Sequence, residues 1–324
     1  MSCSSLIATQ KKTFQNVSNP ALHDASSRLN KASQQPSKNS IKIANANIQK
    51  APTALIDRLG SPNDIEDATE YEIEIYNLMK DEEMRFLPNP NYFKIQSSVT
   101  PRMRAIVVDW LVDVHRKLQM HTDTLYLTIN LIDRYLSFNN LEKQALQKLG
   151  CAALLVASKN YEIYTPSLED LSYVSCNAFS VRELNQMESL LLQSVQYHIN
   201  PIVPSMFLKR YLRVVNADFK LSMLAHFICE CSLLDIDFFE ETPSKIAAGS
   251  IFIAQHILRG PQQWNTYMET NTGYSCENLK NVVNKLLQSV STIKTCRFTA
   301  IKKKYSINSM EGVSRLSFPE FIEI

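Results

Sequence analysis

The strongest hydrophobic pattern in the chain lies between Met103 and Ser137. In its first half, one set of apolar residues recurs at the spacing of a single helix face, namely Met103, Ile106, Val107, Trp110, Leu111, Val114 and Leu118. Val108 and Val112 add a second apolar strip beside this face, so the polar residues occupy a narrow seam. Such a helix lies at the centre of a helical domain, or it contacts a partner as well as a core.

Helical periodicity continues through two successive blocks of the chain, and the second block opens at Met206. Each block has one helix that is dense in small residues, and Ala152 of the first such helix lies roughly 95 residues before Ala247 of the second. Small side chains let neighbouring helices approach closely, so we expect both to be the central helix of a bundle. The offset favours a duplicated domain, although two unrelated helical domains would give the same pattern.

The pattern divides the chain into three parts. Residues 1–62 are rich in Ser, Asn, Gln and Lys without periodic apolar positions, and we expect them to form a disordered tail. Residues 63–200 are expected to hold an amphipathic N-terminal helix and the first helical block, and residues 201–324 the second block and a C-terminal tail. The apolar face of the N-terminal helix consists of Ile75, Leu78 and Met79.

Composition argues against several classes of protein. The 324 residues include only six glycines, which favours an all-α fold over sheets rich in tight turns. No apolar run approaches the roughly 20 residues of a membrane span, and no signal-peptide pattern opens the chain, so we expect no membrane association. A formal net charge of +2 argues against nucleic-acid binding by bulk electrostatics. The seven cysteines form no CxxC pair, which favours buried free thiols over a zinc site.

Several segments between about Glu70 and Pro319 match the sequence motifs of a known family and occur in the same order. Examples are MRAIVVDWLVDVH, LYLTINLIDRYLS, LQKLGCAALLVASK and PSKIAAGSIFIA. They resemble the tandem cyclin boxes of mitotic A/B-type cyclins. The resemblance implies two tandem five-helix bundles preceded by an N-terminal helix. It also implies a non-catalytic protein without cofactor or metal, which binds and activates a cyclin-dependent protein kinase in the nucleus and cytoplasm and controls cell-cycle progression at G2/M or S/G2.

The resemblance implies a kinase-binding surface at the end of the first small-residue helix. Lys159 and Glu188 match the cyclin pair that holds the regulatory helix of the kinase through hydrogen bonds to its backbone, since an ammonium donates and a carboxylate accepts. Asn160 stands where cyclins of this class have an aromatic residue, so we expect Tyr161 to take over that contact. The apolar residues expected to line the contact are Leu155, Val156, Leu191 and Val195.

A second implied surface is a shallow groove that docks Arg-x-Leu segments of protein substrates and inhibitors. Its expected members are Met103, Ile106, Val107, Trp110, Asp113, Leu146 and Gln147. The apolar members would hold the Leu, and the carboxylate and amide would face the polar end. A Trp at helical spacing more often belongs to a core. The excess apolar surface of this helix nevertheless favours an exposed patch with a polar rim, which usually marks an interaction site.

A third implied feature is structural. Arg104 and Asp133 resemble the buried ion pair that joins the first two helices of the cyclin box. Both residues lie in apolar surroundings, which disfavours a surface pair. Removing one partner of a buried pair costs about 3–5 kcal/mol, so we expect either single change to Ala to unfold the box.

Other functions remain open from the sequence. A nucleic-acid-binding transcription factor of cyclin-like fold would need a basic face and commonly a zinc ribbon, and neither is visible. An enzyme is disfavoured because the chain lacks a Gly-rich phosphate loop, HRD, DFG, HExxH and G-x-S-x-G strings. A plain helical scaffold would bind without stimulating a kinase. The sequence leaves both the partner kinase and the choice between A and B type open.

Overall fold

The structure is a computed structural model that describes residues 69–261 and 264–323. The tail expected over residues 1–62 lies outside these residues. The described part is built from helices and the loops between them, with no strand among those residues. The α-helices are α1 Glu72–Glu82, α2 Pro101–Leu118, α3 Thr122–Phe138, α4 Leu146–Tyr161, α5 Leu168–Val174, α6 Val181–Ser194, α7 Pro204–Val214, α8 Phe219–Cys231, α9 Pro243–Arg259, α10 Thr266–Thr272, α11 Cys276–Thr295 and α12 Ala300–Lys304.

Side-chain caps set where several of these helices begin. Thr100 precedes α2, and its hydroxyl accepts a hydrogen bond from the backbone N–H of Met103 at 3.3 Å. Pro101 follows at the first helical position, where its missing N–H costs nothing. Ser167 and Ser180 begin α5 and α6 with reciprocal capping boxes. The helix starts are therefore encoded locally in the sequence.

Two groups of five helices follow α1, namely α2–α6 and α7–α11. In each group the third helix is central, since α4 packs on α2, α3 and α6, and α9 packs on α7, α8 and α11. A Cβ atom added at Gly150 of α4 would lie 3.2 Å from Val107 Cγ1 of α2. One added at Gly249 of α9 would lie 3.0 Å from Val282 Cγ1 of α11. The expectation that both small-residue helices are central is confirmed.

Helix α2 packs on two cores. Leu111 and Val114 belong to the core of the first group of helices. Val108 and Val112, the second apolar strip, belong to the core that continues into the second group. Asp109, from the polar seam, accepts a hydrogen bond from the backbone N–H of Ala300 in α12 at 2.9 Å. Most of the excess apolar surface of α2 is thus used inside the molecule.

Helix α1 packs through a different face from the one its sequence suggests. Tyr76 is buried, and its hydroxyl donates to the carbonyl of Thr272 at 3.1 Å. The carboxylate of Glu83, just after α1, accepts from the backbone N–H of Ser244 at 2.9 Å and so caps α9. Ile75 and Leu78 are exposed. Met79 alone of the expected face packs on the core of the second group, so buried Tyr76 and the hydrogen-bonding anchors mainly fix how α1 lies there.

Candidate functional site

The C-terminal end of α4 lies beside α6, and there Lys159 and Glu188 meet. The Nζ atom of Lys159 lies 2.5 Å from Oε1 of Glu188. The Lys159 side chain is 52% exposed, whereas that of Glu188 is 10% exposed. The carboxylate therefore holds the ammonium in place, while the ammonium keeps donors free to face an incoming chain. A fixed ammonium of this kind can cap backbone carbonyls at a helix end of another protein.

The loop that leaves α4 presents apolar side chains to solvent next to this pair. Ile163 is 90% exposed and Tyr164 is 83% exposed. Tyr161 is half-buried, and Asn160 donates from Nδ2 to Oδ1 of Asn200 at 3.1 Å. Sequence analysis missed Ile163 and Tyr164. The available signal was two adjacent apolar residues in a loop between helices. Loops normally lie at the surface, so apolar residues there indicate an exposed interaction site.

Four residues expected to line the partner contact are buried in the core of the first group instead. Their exposed fractions lie between 0 and 3%, and they are Leu155, Val156, Leu191 and Val195. The expectation that these side chains contact a partner is wrong for this conformation. Helix α4 is surrounded by neighbours, so Leu149 to Ser158 are all buried and none of its faces is left for a partner there. The exposed apolar side chains at this end of α4 lie in the loop that follows.

The proposed docking groove runs along α2 and the start of α4. Ile106 is 51% exposed, and the remaining members apart from Leu146 are partly buried. Those partly buried members are Met103, Val107, Trp110, Asp113 and Gln147. The close approach at Gly150 holds Val107 against α4. Met103, Val107 and Trp110 rest on the core of the first group, so their outer surfaces form an apolar strip beside exposed Ile106.

Two members of the groove differ from expectation. Leu146 is 3% exposed, so it supports the groove from below and does not offer a contact surface. Asp113 accepts a hydrogen bond from Arg116 at 3.3 Å, so its carboxylate already has a cationic partner on the same helix. An incoming arginine would have to share Asp113 with Arg116. The polar end of the groove is consequently less acidic than the sequence suggests.

Arg104 and Asp133 form a buried bidentate pair. Nε of Arg104 donates to Oδ1 of Asp133 at 2.7 Å, and Nη2 donates to Oδ2 at 2.6 Å. Burial opposes the charged guanidinium, but the charge and hydrogen bonds of Asp133 outweigh it and raise the pKa of Arg104. The remaining arm donates to the carbonyl of Leu233 at 2.8 Å, and the hydroxyl of Tyr92 donates to Oδ1 of Asp133 at 2.9 Å. The pair therefore also joins the two helical groups.

A second polar cluster, which sequence analysis missed, fixes the end of α4. Oε1 of Glu162 accepts from the backbone N–H of His121 at 2.6 Å and from the hydroxyl of Thr124 at 2.5 Å. Next to it, Asp123 accepts from Ser205 at 2.6 Å and pairs with Lys209 at 2.6 Å. The Glu162 contacts hold the end of α4 against the start of α3, and the Asp123 contacts join α3 to α7.

The described residues carry no sign of a metal site or a membrane span. Across residues 69–261 and 264–323, no three His, Cys, Asp or Glu side chains are grouped as metal ligands. Within the same ranges, no helix is long and apolar enough to cross a bilayer. Burial raises the pKa of the Cys151 and Cys229 thiols to about 12, which keeps both protonated and unreactive.

Comparison with known proteins identifies relatives of both helical groups. Residues 74–200 match the family model of the cyclin N-terminal domain, and residues 202–319 match that of the cyclin C-terminal domain. Among solved structures, a viral cyclin from herpesvirus saimiri aligns with a TM-score of 0.62 at 22% identity, covering 67% of this chain and 96% of that one. A chain of the yeast RNA Pol II CTD kinase CTDK-1 complex aligns with a TM-score of 0.52 at 13% identity, covering 75% of this chain and 85% of that chain. These structural likenesses show the fold.

Curated sequences include plant cyclins of both types. Cyclin-B2-3 of Arabidopsis thaliana is 34% identical over 275 residues, which cover 85% of this chain and 64% of that protein. Cyclin-A2-1 of Oryza sativa subsp. japonica is 36% identical over 258 residues, covering 77% of this chain and 52% of that protein. Cyclin-A3-2 of Arabidopsis thaliana is 33% identical over 317 residues, covering 93% of this chain and 85% of that protein. The chain thus spans 64% and 52% of the first two relatives. With both domain models matched in tandem, the chain belongs to the cyclin family.

Proposed function

We propose that this cyclin is the non-catalytic regulatory subunit of a cyclin-dependent protein kinase, which it binds and activates through the surface formed by Lys159, Glu188, Ile163 and Tyr164. The observation that carries the proposal is the fixed Lys159–Glu188 pair beside two exposed apolar side chains. Family membership supports it, because curated A-type and B-type cyclins resemble most of this chain. We call these four residues the kinase-docking surface.

Activation follows from differential binding. A protein kinase is active when a Glu of its regulatory helix reaches the Lys that positions the ATP phosphates. A surface that fits the helix in this inward position alone shifts the kinase toward the active state, and moving the balance from 1:99 to 99:1 takes about 5.5 kcal/mol. Full burial of a large apolar side chain contributes about 1.5–3 kcal/mol. Burial of Ile163 and Tyr164 together would therefore supply a free energy comparable with the shift from the inactive to the active state, before the costs of association.

The charged pair gives the docking surface its orientation. The backbone carbonyls at the last turn of a helix lack partners inside that helix. The ammonium of Lys159 can donate hydrogen bonds to such carbonyls, and Glu188 fixes the direction of the ammonium. Asn160 is turned toward Asn200, so the apolar part of the surface lies on the loop beyond it.

The test is a kinase-stimulation assay. Purified full-length chain is mixed with a monomeric cyclin-dependent kinase, and phosphorylation of a histone-like substrate is measured. The native chain is expected to stimulate, and the Lys159→Ala, Glu188→Ala double variant is expected to lose stimulation while keeping its helical circular dichroism. If the native chain did not stimulate the kinase, a plain scaffold would be indicated. A double variant that stimulated the kinase as well as the native chain would contradict the assignment of the docking surface.

We further propose that the strip of Met103, Ile106, Val107 and Trp110 docks substrates and inhibitors that carry Arg-x-Leu segments. Ile106 is the most exposed member and would contact the Leu. Trp110→Ala is expected to leave kinase binding intact and to lower phosphorylation of substrates that carry the segment, with no change for substrates that lack it. Equal loss for both kinds of substrate would contradict a docking role.

The cell-cycle stage and location are part of the same proposal. By its A/B-type resemblance, the chain would act at S/G2 or G2/M and reside in the nucleus and cytoplasm. Imaging of the tagged full chain in synchronised cells tests this assignment. A signal confined to another compartment, or depletion without a delay at those stages, would contradict it.

A further inference from the structure

The sequence contains three Thr–Pro dipeptides, and they differ in structure. Thr100–Pro101 and Thr242–Pro243 open α2 and α9, with each Thr as N-cap and each Pro at the first helical position. Thr165–Pro166 lies in the loop between α4 and α5, outside any helix, and Thr165 is exposed. The same two-residue pattern therefore begins a helix at two places and lies exposed in a loop at the third.

The two capping dipeptides are unavailable to a modifying enzyme. The Thr100 hydroxyl accepts from the backbone N–H of Met103, and the Thr242 hydroxyl accepts from that of Lys245, each at 3.3 Å. Pro243 is also buried. A kinase that recognises a hydroxyl followed by proline must take the segment into its own cleft, which would require unwinding these helix starts. At Thr165 neither constraint applies, since Ser167 rather than Thr165 caps α5, Thr165 is exposed, and Pro166 is only partly buried.

We propose that Thr165 is a phosphorylation site for a proline-directed protein kinase, and that the phosphate prevents docking of the partner kinase. The second half rests on the proposed function. In the reaction, Oγ1 of Thr165 attacks the γ-phosphorus of ATP. The new O–P bond forms as the bond to the β–γ bridging oxygen breaks, ADP leaves, and the hydroxyl proton passes to a base of the modifying kinase.

The consequence for docking follows from charge. A phosphothreonine carries about −1.5 to −2 charges at neutral pH. Here it would lie one residue from Tyr164 and two from Ile163, the apolar part of the kinase-docking surface. The sequence between Asn160 and Ser172 holds no Lys or Arg, and it holds the acidic residues Glu162, Glu169 and Asp170. The nearest cation along the chain, Lys159, is already paired with Glu188. A partner covering this loop would therefore have to desolvate a dianion without an unpaired cation of the loop to neutralise it, which is strongly unfavourable.

The same geometry makes docking and modification mutually exclusive. A kinase helix seated on Ile163 and Tyr164 would cover the segment that the modifying kinase must grip. Phosphorylation would therefore act on the free chain, and the complex, once formed, would protect Thr165. The extent of phosphorylation at Thr165 would therefore set the fraction of molecules that can bind the partner kinase.

The experiment uses the full chain with Ser61→Ala, which removes the other Ser/Thr–Pro hydroxyl outside the described residues. The chain is treated with ATP and a proline-directed kinase that is active without a cyclin, and phosphate is located by mass spectrometry. We expect phosphate on Thr165, its loss in Thr165→Ala, and its return in Thr165→Ser. The dissociation constant for a monomeric cyclin-dependent kinase is then measured before and after treatment.

Phosphorylation is expected to weaken kinase binding about tenfold or more, with no change in the treated Thr165→Ala chain. Absence of phosphate on Thr165, while a Thr–Pro peptide in the same tube is modified, would overturn the site. Unchanged affinity of the fully phosphorylated chain would overturn the effect on docking. If the untreated chain binds no kinase, the proposed function itself fails, and the mass spectrum still decides the modification site.

Discussion

At the residue scale, the molecule depends most on the buried pair of Arg104 and Asp133. Both side chains are nearly inaccessible to solvent, and the guanidinium donates two hydrogen bonds to Asp133 and one to the carbonyl of Leu233. A phenyl ring, Phe239, lies 5.0 Å from the guanidinium carbon and covers it. Such a pair stabilises little compared with apolar packing, but loss of one partner leaves an uncompensated charge.

Asp133→Ala is expected to lower the free energy of unfolding by about 3–5 kcal/mol, because Arg104 would remain charged and buried without its counter-ion. Urea unfolding followed by circular dichroism measures the loss. Arg116→Ala, which breaks the partly exposed pair with Asp113, is the matched control and should cost less than about 1 kcal/mol. Equal effects of the two changes would contradict the structural role of the buried pair.

The sequence predicted residue pairs correctly where family motifs place both partners. It did not predict which apolar side chains are buried in the core. The sequence placed Lys159 next to Glu188 and Arg104 next to Asp133, and the structure brings both pairs together. It could not tell that Leu155 is enclosed, since helical periodicity reveals shared faces but not which neighbour covers them. The hydroxyl of Tyr92 was likewise unpredictable, because its contact with Asp133 spans 41 residues without any local pattern.

At the element scale, the two central helices α4 and α9 determine how closely the others approach. Each carries a glycine where a neighbouring helix comes within contact distance of the missing side chain. The density of small residues predicted this role from the sequence. What it could not predict is that α2 would pack its second apolar strip on the other helical group, because a strip of this kind fits a partner protein equally well.

Gly150→Ala is expected to destabilise the chain by about 1–3 kcal/mol through overpacking, offset in part by the better helix propensity of Ala. Since the added methyl group would push on Val107, binding of an Arg-x-Leu peptide should weaken as well. Gly249→Ala is the control: it crowds Val282 and Leu286 in the second group and should lower stability while leaving peptide affinity unchanged. Fluorescence polarisation with a labelled peptide separates the two cases, and equal peptide affinities for all three proteins would contradict the groove geometry.

At the scale of the whole molecule, the two helical groups share a polar interface that contains buried His115. Its Nε2–H donates to the carbonyl of His121 at 2.8 Å, while Nδ1 is buried without a hydrogen-bond partner among the described residues. Burial, reinforced by the nearby ammonium of Lys304, lowers the pKa of His115 despite the opposing charges of Glu230 and Glu162. The folded chain therefore resists protonation of this ring.

Stability is expected to fall as the pH drops from about 7 to about 5. Burial lowers the folded-state pKa of His115 and His226 below the unfolded value of 6.5, so the unfolded chain binds more protons in this range. The stability these neutral rings contribute is present above pH 6.5 and is lost as the pH falls through their folded pKa. Urea unfolding across the range measures the slope, which should flatten in the His115→Gln, His226→Gln variant. A free energy of unfolding that does not decrease below about pH 6.5 would contradict this account.

The tandem arrangement was predictable from repeated helical periodicity, whereas the contacts between the two groups were not. Asp123 meets Ser205 and Arg104 meets Leu233 across large sequence separations, and no periodic signal links such positions. These contacts join α2 and α3 of the first group to the second group.

The most direct measurement is the dissociation constant for a monomeric cyclin-dependent kinase, determined by isothermal titration for three proteins. They are the native chain, the Lys159→Ala, Glu188→Ala variant, and a control that carries Lys148→Ala and Glu183→Gln. The control removes the other Lys–Glu contact between α4 and α6, a 3.5 Å pair at the far end of the two helices, and Gln keeps the capping box of α6. The account predicts native affinity for the control and a loss of about a hundredfold or more for the first variant. Equal affinity of all three proteins would contradict it.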